Sequence, residues 1–330
     1  MTEKMPLESW QRTMVRCLFP YSAKRLRIEQ AFMVKHPHVP AKLYKYRDFS
    51  NPYHRDGLEA DQQWFSSPNN FNDPFDTVTK FQTDRLPQQR QTLEECLAEI
   101  EKIKNAEASG EKWVPPKITD PVCAQKWHAM IAEPLIEKLP AEQRQPMREF
   151  IQSWKRKMNA EMIDSISTFL RSGFSVLSLS ANPTSNLMWS HYGASHTGFC
   201  IEYDFGSLPY SDLRKRLCFP VFYRNKRADI SRYLAQPRDD YNNLVGNYLS
   251  LIKSSDWQYE KEWRIVHAIG PDHANRSYDM PKPSALIAGA SVSDDDLKYA
   301  RAFCEERKIP LQQALLSTED MTVSLADHSK

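Results

Sequence analysis

From about Leu86 to Ser172 the chain is patterned as helix, and on both sides of that stretch it is patterned as strand. Short apolar runs bounded by turn residues must pair to bury their faces. A helical block between such runs has to loop out of the sheet they make. The expected architecture is therefore α+β: a mixed, mainly antiparallel β-sheet core with an α-helical insertion. The core domain draws on residues 41–84 and 173–330, the insertion is 85–172, and residues 1–40 form an N-terminal helical extension.

Within the extension, Ser22 to Lys35 is predicted as one helix with Leu26, Ile28, Phe32 and Met33 on its apolar side. Pro37 and Pro40 stop it. Leu43 to Arg47 and Trp64-Phe65 are predicted extended, the second running into a turn-rich stretch from Ser66 to Pro74. In the insertion, Leu93, Leu97, Ile100 and Ile103 recur at helical spacing, a second pattern surrounds Trp127 to Ile131, and a long one runs from Ala141 to Leu170.

Beyond it, Phe174 to Ser180 has the composition of a central strand. Asn182 is placed to cap a helix with Pro183 at its first position, ending at Gly193. Gly198 to Asp204 alternates as a strand, and Trp257 to Ile269 is predicted as another. Ala285 to Ala288 follows, then a helix capped by Ser293 with Asp294, Asp295 and Asp296 in its first turn. Leu311 to Leu315 is the expected last strand.

Composition removes several classes. A formal net charge of +2 over 330 residues gives no general pull toward nucleic acid or acidic lipid. The 6 cysteines are scattered without a C-x-x-C pair, so reduced structural thiols are expected rather than a disulfide scaffold or a zinc site. With only 9 glycines and no P-loop or G-x-G-x-x-G, a P-loop or Rossmann nucleotide fold is not indicated. Met1 to Trp10 has no apolar core for a signal peptide, and no apolar run is long enough to span a bilayer. A cytoplasmic protein with no membrane contact is the expectation.

Three distant segments carry the polar chemistry. In Gln258 to Val266 a strand reading puts Glu260, Glu262 and Arg264 on one face. The carboxylates are then roughly 7 Å apart, close enough to disturb each other's ionisation. The plainer reading is a solvated charged face. The second segment joins the Ser178 and Ser180 strand to the helix of Trp189, His191 and Tyr192. Here His191 is a candidate base, against a role as a buried structural histidine. The third is Phe71-Asn72-Asp73-Pro74-Phe75, an Asx-type turn that either pins two phenylalanines or sets Asn72 and Asp73 at a pocket rim. Arg47, near the end of the first strand, either grips a phosphate bidentately or simply snorkels to solvent. Arg214, Lys215, Arg216, Arg224, Lys226 and Arg227 form a basic cluster, either a solvated face or a local contact for RNA, DNA or a nucleotide phosphate.

Tyr44-Lys45-Tyr46-Arg47, Phe65-Ser66-Ser67-Pro68, Phe71 to Phe75, Leu177 to Ser180, Met188 to Tyr192, Gly198 to Tyr203 and Trp257 to Arg264 together resemble the domain of unknown function 2971 family of bacterial proteins. That resemblance spans about Ala41 to Gly289 and implies no activity. The order Arg47, then Ser178 or Ser180, then Glu260-Lys261-Glu262 is more distantly similar to the R-S-E class of ADP-ribosyltransferases. In this chain the serine strand reads Leu-Ser-Leu-Ser instead of Ser-Thr-Ser.

The distant similarity implies NAD as a substrate, with no tightly bound cofactor. Arg47 would hold the pyrophosphate, and Ser178 or Ser180 the nicotinamide ribose. Glu262 would hold the ribose hydroxyls while Glu260 orients the acceptor, with Trp189 or Tyr192 as a stacking wall. A possible defence or toxin role goes with it. Two other readings stand beside it. One is a metal-dependent hydrolase or nuclease built from Asp73, His191, Glu202, Glu260 and Glu262. The other is a non-enzymatic binding or sensor module using the helical insertion.

Overall fold

The computed structural model describes residues 7–80, 133–234, 240–270 and 275–328. The chain divides into two compact units. One comprises Met1–Val78, Ser167–Ala228 and Asn242–Lys330, the other Thr79–Ile166 and Asp229–Tyr241.

The strands are β1 (Lys42–Arg47), β2 (Gln62–Phe65), β3 (Thr79–Lys80), β4 (Phe174–Ser180), β5 (Phe199–Asp204), β6 (Cys218–Pro220) and β7 (Phe222–Arg224). After them come β8 (Ala228–Asp229), β9 (Ile252–Ser254), β10 (Glu262–Ala268), β11 (Arg276–Asp279), β12 (Ala285–Ala288), β13 (Leu311–Leu316) and β14 (Val323–Asp327). Eight form one sheet in the order β14-β13-β12-β5-β1-β4-β10-β6. Within it only β12 and β13 run parallel. The fold is α+β with a mixed, mainly antiparallel sheet, as the patterning implied.

Strand β4 changes partner partway along. At its C-terminal end Ser180 pairs with Tyr44 of β1, the one register pair those strands share. At Val176 it pairs instead with Ser66, just past β2, through backbone bonds of 3.0 and 2.9 Å. Strands β1 and β2 thus part above β4 and leave a fork. Along its other edge β4 pairs with β10 over seven residues, with Glu262 opposite Ser180 and Arg264 opposite Ser178. Paired residues in an antiparallel ladder share a face, so these hydroxyls and charges lie together.

Helices α1 (Ser9–Leu18) and α2 (Ile28–Lys35) pack Met14, Leu18, Ala31 and Phe32 against Phe174, Val176 and Phe219 of the sheet. The single helix expected from Ser22 is two pieces, a 3-10 turn at Ala23–Arg25 and then α2. Ile28 and Met33 are exposed rather than core. Lys35 takes an inward position, its ammonium donating to the carbonyls of Lys215, Arg216 and Cys218 at 2.6–2.9 Å. Three acceptors satisfy the three donors, which is why a lysine can occupy that place.

The helix after β4 begins at Asn186, capped by Ser185 and not Asn182. Asn182 spends its side-chain oxygen on Thr184, in a turn of its own that delays the helix. The helix does stop at Gly193, and Ala194, Ser195 and His196 follow with φ of 50°, 53° and 69°. Three consecutive left-handed residues cost roughly 1–2 kcal/mol each. The turn is held by Gly198 N–H donating to Gly193 O at 2.9 Å and Ser291 N–H to His196 O at 2.9 Å. A Cβ on Gly198 would lie 2.1 Å from the Arg47 carbonyl oxygen, so only glycine lets β5 approach the end of β1 this closely.

Two further expectations are corrected. The segment Ser255–Glu260 is a 3-10 helix capped by Ser254, and Lys261 is left-handed, so β10 starts only at Glu262. The last strand is β14, which pairs antiparallel with β13. Glu133–Glu137 is joined to the long helix Ala141–Ser172 by Arg148, which bridges Glu133 at 2.7 Å and also Glu137. The patterns at Leu93 to Ile103 and Trp127 to Ile131 lie outside the described residues, as do Cys96 and Cys123. Cys17, Cys200, Cys218 and Cys304 are free and buried. Among the described residues no helix is long and apolar enough to cross a membrane.

Candidate functional site

The fork beneath β1 and β2 is hollow. A cavity of about 1170 Å³ occupies it, above the ~300–1,000 Å³ typical of pockets for drug-sized ligands. Arg47, Ser178, Ser180, Glu260, Glu262 and Tyr192 line it, and so do Asn72, His191 and Arg264. Three segments far apart in sequence are thereby brought to one place. Asp73 and Trp189 are not among the lining residues. Trp189, expected as a stacking wall, is fully buried and donates its indole N–H to Pro183 O at 2.9 Å, so it has no face to offer a ligand. Asp73 is buried, with Oδ1 accepting from Phe75 N–H at 2.8 Å in the expected Asx-type turn.

At the deep end lies an ionic network. Far from facing solvent, Glu260, Glu262 and Arg264 are only 3%, 5% and 1% exposed. Because the 3-10 turn and the left-handed Lys261 precede β10, the two carboxylates converge instead of following one another along a strand face. Both accept from Lys253 Nζ, Glu260 Oε2 at 2.5 Å and Glu262 Oε2 at 3.0 Å. Arg264 donates Nε to Glu262 Oε1 at 2.7 Å and Nη2 to Glu262 Oε2 at 3.1 Å. Its Nη1 and Nη2 also clasp Asp76 at 2.8 and 2.6 Å, and Nη1 reaches Ser250 O at 2.6 Å. All five guanidinium donors are consumed. Arg264 therefore organises the floor and has nothing left for a ligand.

The carboxylates are not equivalent. Glu262 accepts from Arg264 twice, from Lys253, and from the Ser178 side chain, which fills its acceptor sites. Burial alone would push its pKa up, but Arg264 and Lys253 together outweigh that and hold it well below the usual carboxylate range. Glu260 is held by Lys253, by a hydrogen bond shared with Glu262, and by the Tyr192 hydroxyl, which donates to Oε1 at 2.9 Å and is itself hydrogen-bonded to Asn72. Burial, then the adjacent Glu262 charge, push Glu260 up to about 7 against the pull of Lys253. One carboxylate is locked ionised and its neighbour is poised near neutrality.

The middle of the cavity is cationic. Lys45 reaches across the parted strands and donates to Ser178 O at 2.8 Å, on the stretch of β4 between its two strand partners. Burial, followed by the charge of Arg47, lowers its pKa well below the ordinary lysine value. Arg47 donates Nε and Nη2 to Gln63 Oε1 at 3.1 and 2.6 Å, bridging β1 to β2. No hydrogen bond from its Nη1 to the described residues is present. Burial brings Arg47 down to about 10, still a cation at neutral pH. Burial and then Arg47 bring His54 down to about 4, leaving a neutral imidazole on the same wall. Asp48 and Asp56 line the outer part, Asp48 turned to Ser50.

Residues that sequence inspection passed over complete the picture: Lys45, Asp76, Lys253, Gln63 and Tyr223, whose hydroxyl accepts from Glu262 N–H at 2.8 Å. The metal-site residues do not assemble. Glu202 is held by Lys42 at 2.7 Å, Tyr44 at 3.1 Å and Ser284 at 2.9 Å, and does not line the cavity. Among the described residues no group of three or more His, Cys, Asp and Glu side chains is arranged to hold a metal ion. His191 is exposed beside Trp257 and Tyr259 rather than buried.

The basic cluster is dispersed by local partners. Arg214 pairs with Asp212, Arg216 with Glu29, and Arg224 with the Tyr248 hydroxyl, while Lys215 turns inward to Leu208 O.

An α+β chain with a polar cleft in its sheet is what fold and cavity define. The family model described as Protein of unknown function (DUF2971) matches residues 188–265, so this part of the chain is similar to that family. The match takes in His191, Tyr192, Lys253, Glu260, Glu262 and Arg264 and leaves out Arg47, Ser178 and Asp76. No curated protein and no solved structure matches the chain.

Proposed function

We propose that the cavity binds a phosphorylated nucleoside of the NAD type and that the protein cleaves its N-glycosidic bond, by hydrolysis or by transfer to an acceptor. One observation carries this reading. A single hollow holds two under-used basic side chains, Lys45 and Arg47, beside a buried carboxyl pair with opposed ionisation. Phosphate oxygens suit Arg47 Nη1 and the Lys45 ammonium, and an anion there would offset the repulsion from Arg47 and favour the charged form of the lysine. The sugar then lies toward Glu260.

Breaking the bond from C1′ to the nicotinamide nitrogen sends the electron pair to the ring, which leaves neutral, and the ribose acquires oxocarbenium character. Water or an acceptor hydroxyl adds at C1′, and its proton passes to Glu260, whose basic form predominates above about pH 7. Glu262, with its acceptor sites filled, fixes Lys253 and thereby Glu260, and does not itself grip the ribose. This assigns the reacting role to Glu260 and a positioning role to Glu262.

Purified protein incubated with NAD and assayed chromatographically for nicotinamide is the test. Release is expected to rise with pH through about 7, to fall by about two orders of magnitude or more in Glu260→Gln, and to weaken in Arg47→Ala through KM. No nicotinamide from the wild-type protein, or full activity in Glu260→Gln, refutes the proposal.

A further inference from the structure

Two aromatic side chains at the outer part of the cavity are unaccounted for by the chemistry at its floor. Tyr53 is 80% exposed and Trp64 is 54% exposed, yet both line the hollow. Tyr53 stands on the first turn of α3 (Pro52–Glu59) and Trp64 on β2, the element that directly follows. An isolated exposed aromatic needs no explanation. Two on consecutive elements, both lining the cavity that also holds Arg47, His54 and the carboxyl pair, call for an occupant with an aromatic face.

Neither ring is presented by a loose segment. Asn51 caps α3 by accepting from Tyr53 N–H at 3.1 Å, with Pro52 at the first helical position. The helix is fastened to the helix Asp294–Arg307 on its far side. Arg55 pairs with Asp296 and lies 4.7 Å over the Tyr299 ring, and Tyr299 donates to Glu59 at 2.9 Å. Trp64 is set by antiparallel pairing with Ser277 of β11, another lining residue. The backbone under each ring is therefore held in place, and among the described residues both rings stay largely exposed.

We infer that Tyr53 and Trp64 form a stacking site for the nucleobase of the ligand, so that base, phosphates and reacting sugar lie in that order from the mouth to Glu260. This rests on the nucleotide reading given above and extends it by assigning the base end. A purine offers the large π-face such a pair needs. The flanking Lys45 and Arg47 then take the phosphates attached to the same nucleoside. Base stacking on an aromatic side chain is worth about 1–3 kcal/mol per base, so removing one ring is expected to weaken binding about 5- to 150-fold.

The experiment is calorimetric titration of the full chain with ADP and, separately, with ribose 5-phosphate, for wild type, Tyr53→Ala, Trp64→Ala and Arg47→Ala. Both aromatic residues are exposed, so their removal leaves the core intact. Wild type is expected to bind ADP more tightly than ribose 5-phosphate. Each aromatic variant should lose at least about fivefold in ADP affinity with ribose 5-phosphate unchanged, and Arg47→Ala should weaken both. ADP binding that depends on Arg47 but is untouched in both aromatic variants overturns the stacking site alone. Absence of ADP binding to wild type overturns the stacking site and the nucleotide reading together.

Discussion

Replacing Glu260 by glutamine tests the electrostatics of the floor independently of any ligand. In the folded protein Glu260 keeps its proton to about pH 7, whereas an unfolded chain releases it near the ordinary value of 4.5. Between those values the folded state binds more protons, so stability from this group falls as pH rises, and the full penalty is present above about 7. At about 1.4 kcal/mol per unit the shift corresponds to roughly 3 kcal/mol at full ionisation.

Glutamine mimics the protonated acid in shape and neutrality and cannot ionise. The stability of Glu260→Gln relative to wild type should therefore grow by about 2 kcal/mol between about pH 5.5 and pH 8. Urea unfolding followed by the fluorescence of the buried Trp189 and Trp263 reads this directly. Taking the difference between variant and wild type cancels groups that titrate oppositely in both proteins, such as His54, whose folded value is lowered. A flat difference curve across this range would show that Glu260 ionises like an ordinary surface carboxyl, and the opposite slope that its folded pKa is lowered; either overturns the assigned ionisation.

Two further substitutions probe the scaffold. Arg264→Met strips Asp76 and Glu262 of their shared buried cation and should destabilise the fold by about 3–5 kcal/mol, measured by denaturant unfolding. Arg264→Lys should recover little, since one ammonium cannot replace five donors in a fixed fork. Gly198→Ala forces a Cβ against the Arg47 carbonyl. It should cost about 1–3 kcal/mol or more and, in the same protein, weaken ADP binding by displacing the end of β1.

Much of the fold was legible because apolar alternation is a local signal. Phe199 to Asp204 carries it within a few residues, Phe174 to Ser180 and Ala285 to Ala288 are equally local as short apolar runs, and Ser293 announces its helix with a cap and three aspartates. The site was legible only in part. Arg47, Ser178, Glu260 and Glu262 could be named from residue type, but what neutralises the carboxylates could not. Asp76 sits in an ordinary-looking turn, and Lys253 lies seven and nine residues before the glutamates it joins, in a strand of three. The available clue was a lysine flanked by Leu249, Leu251 and Ile252, where a charge has no place without a buried partner.

The strand predicted over Trp257 to Ile269 holds from Glu262 to Ala268, and a 3-10 turn replaces its first part. Ser254 accepting from Asp256 N–H starts a tight turn that overrides the alternation.

The partner change along β4 has a bearing on how this hollow is maintained. Its width is fixed at two points of main-chain pairing, Ser180 with Tyr44 and Val176 with Ser66, and Lys45 spans the interval by capping a main-chain oxygen that no neighbouring strand takes. An opening framed by backbone registers is indifferent to the length of the loops around it. Rim residues such as Tyr53 can therefore be exchanged, and the preferred guest altered, while the vault beneath keeps its dimensions.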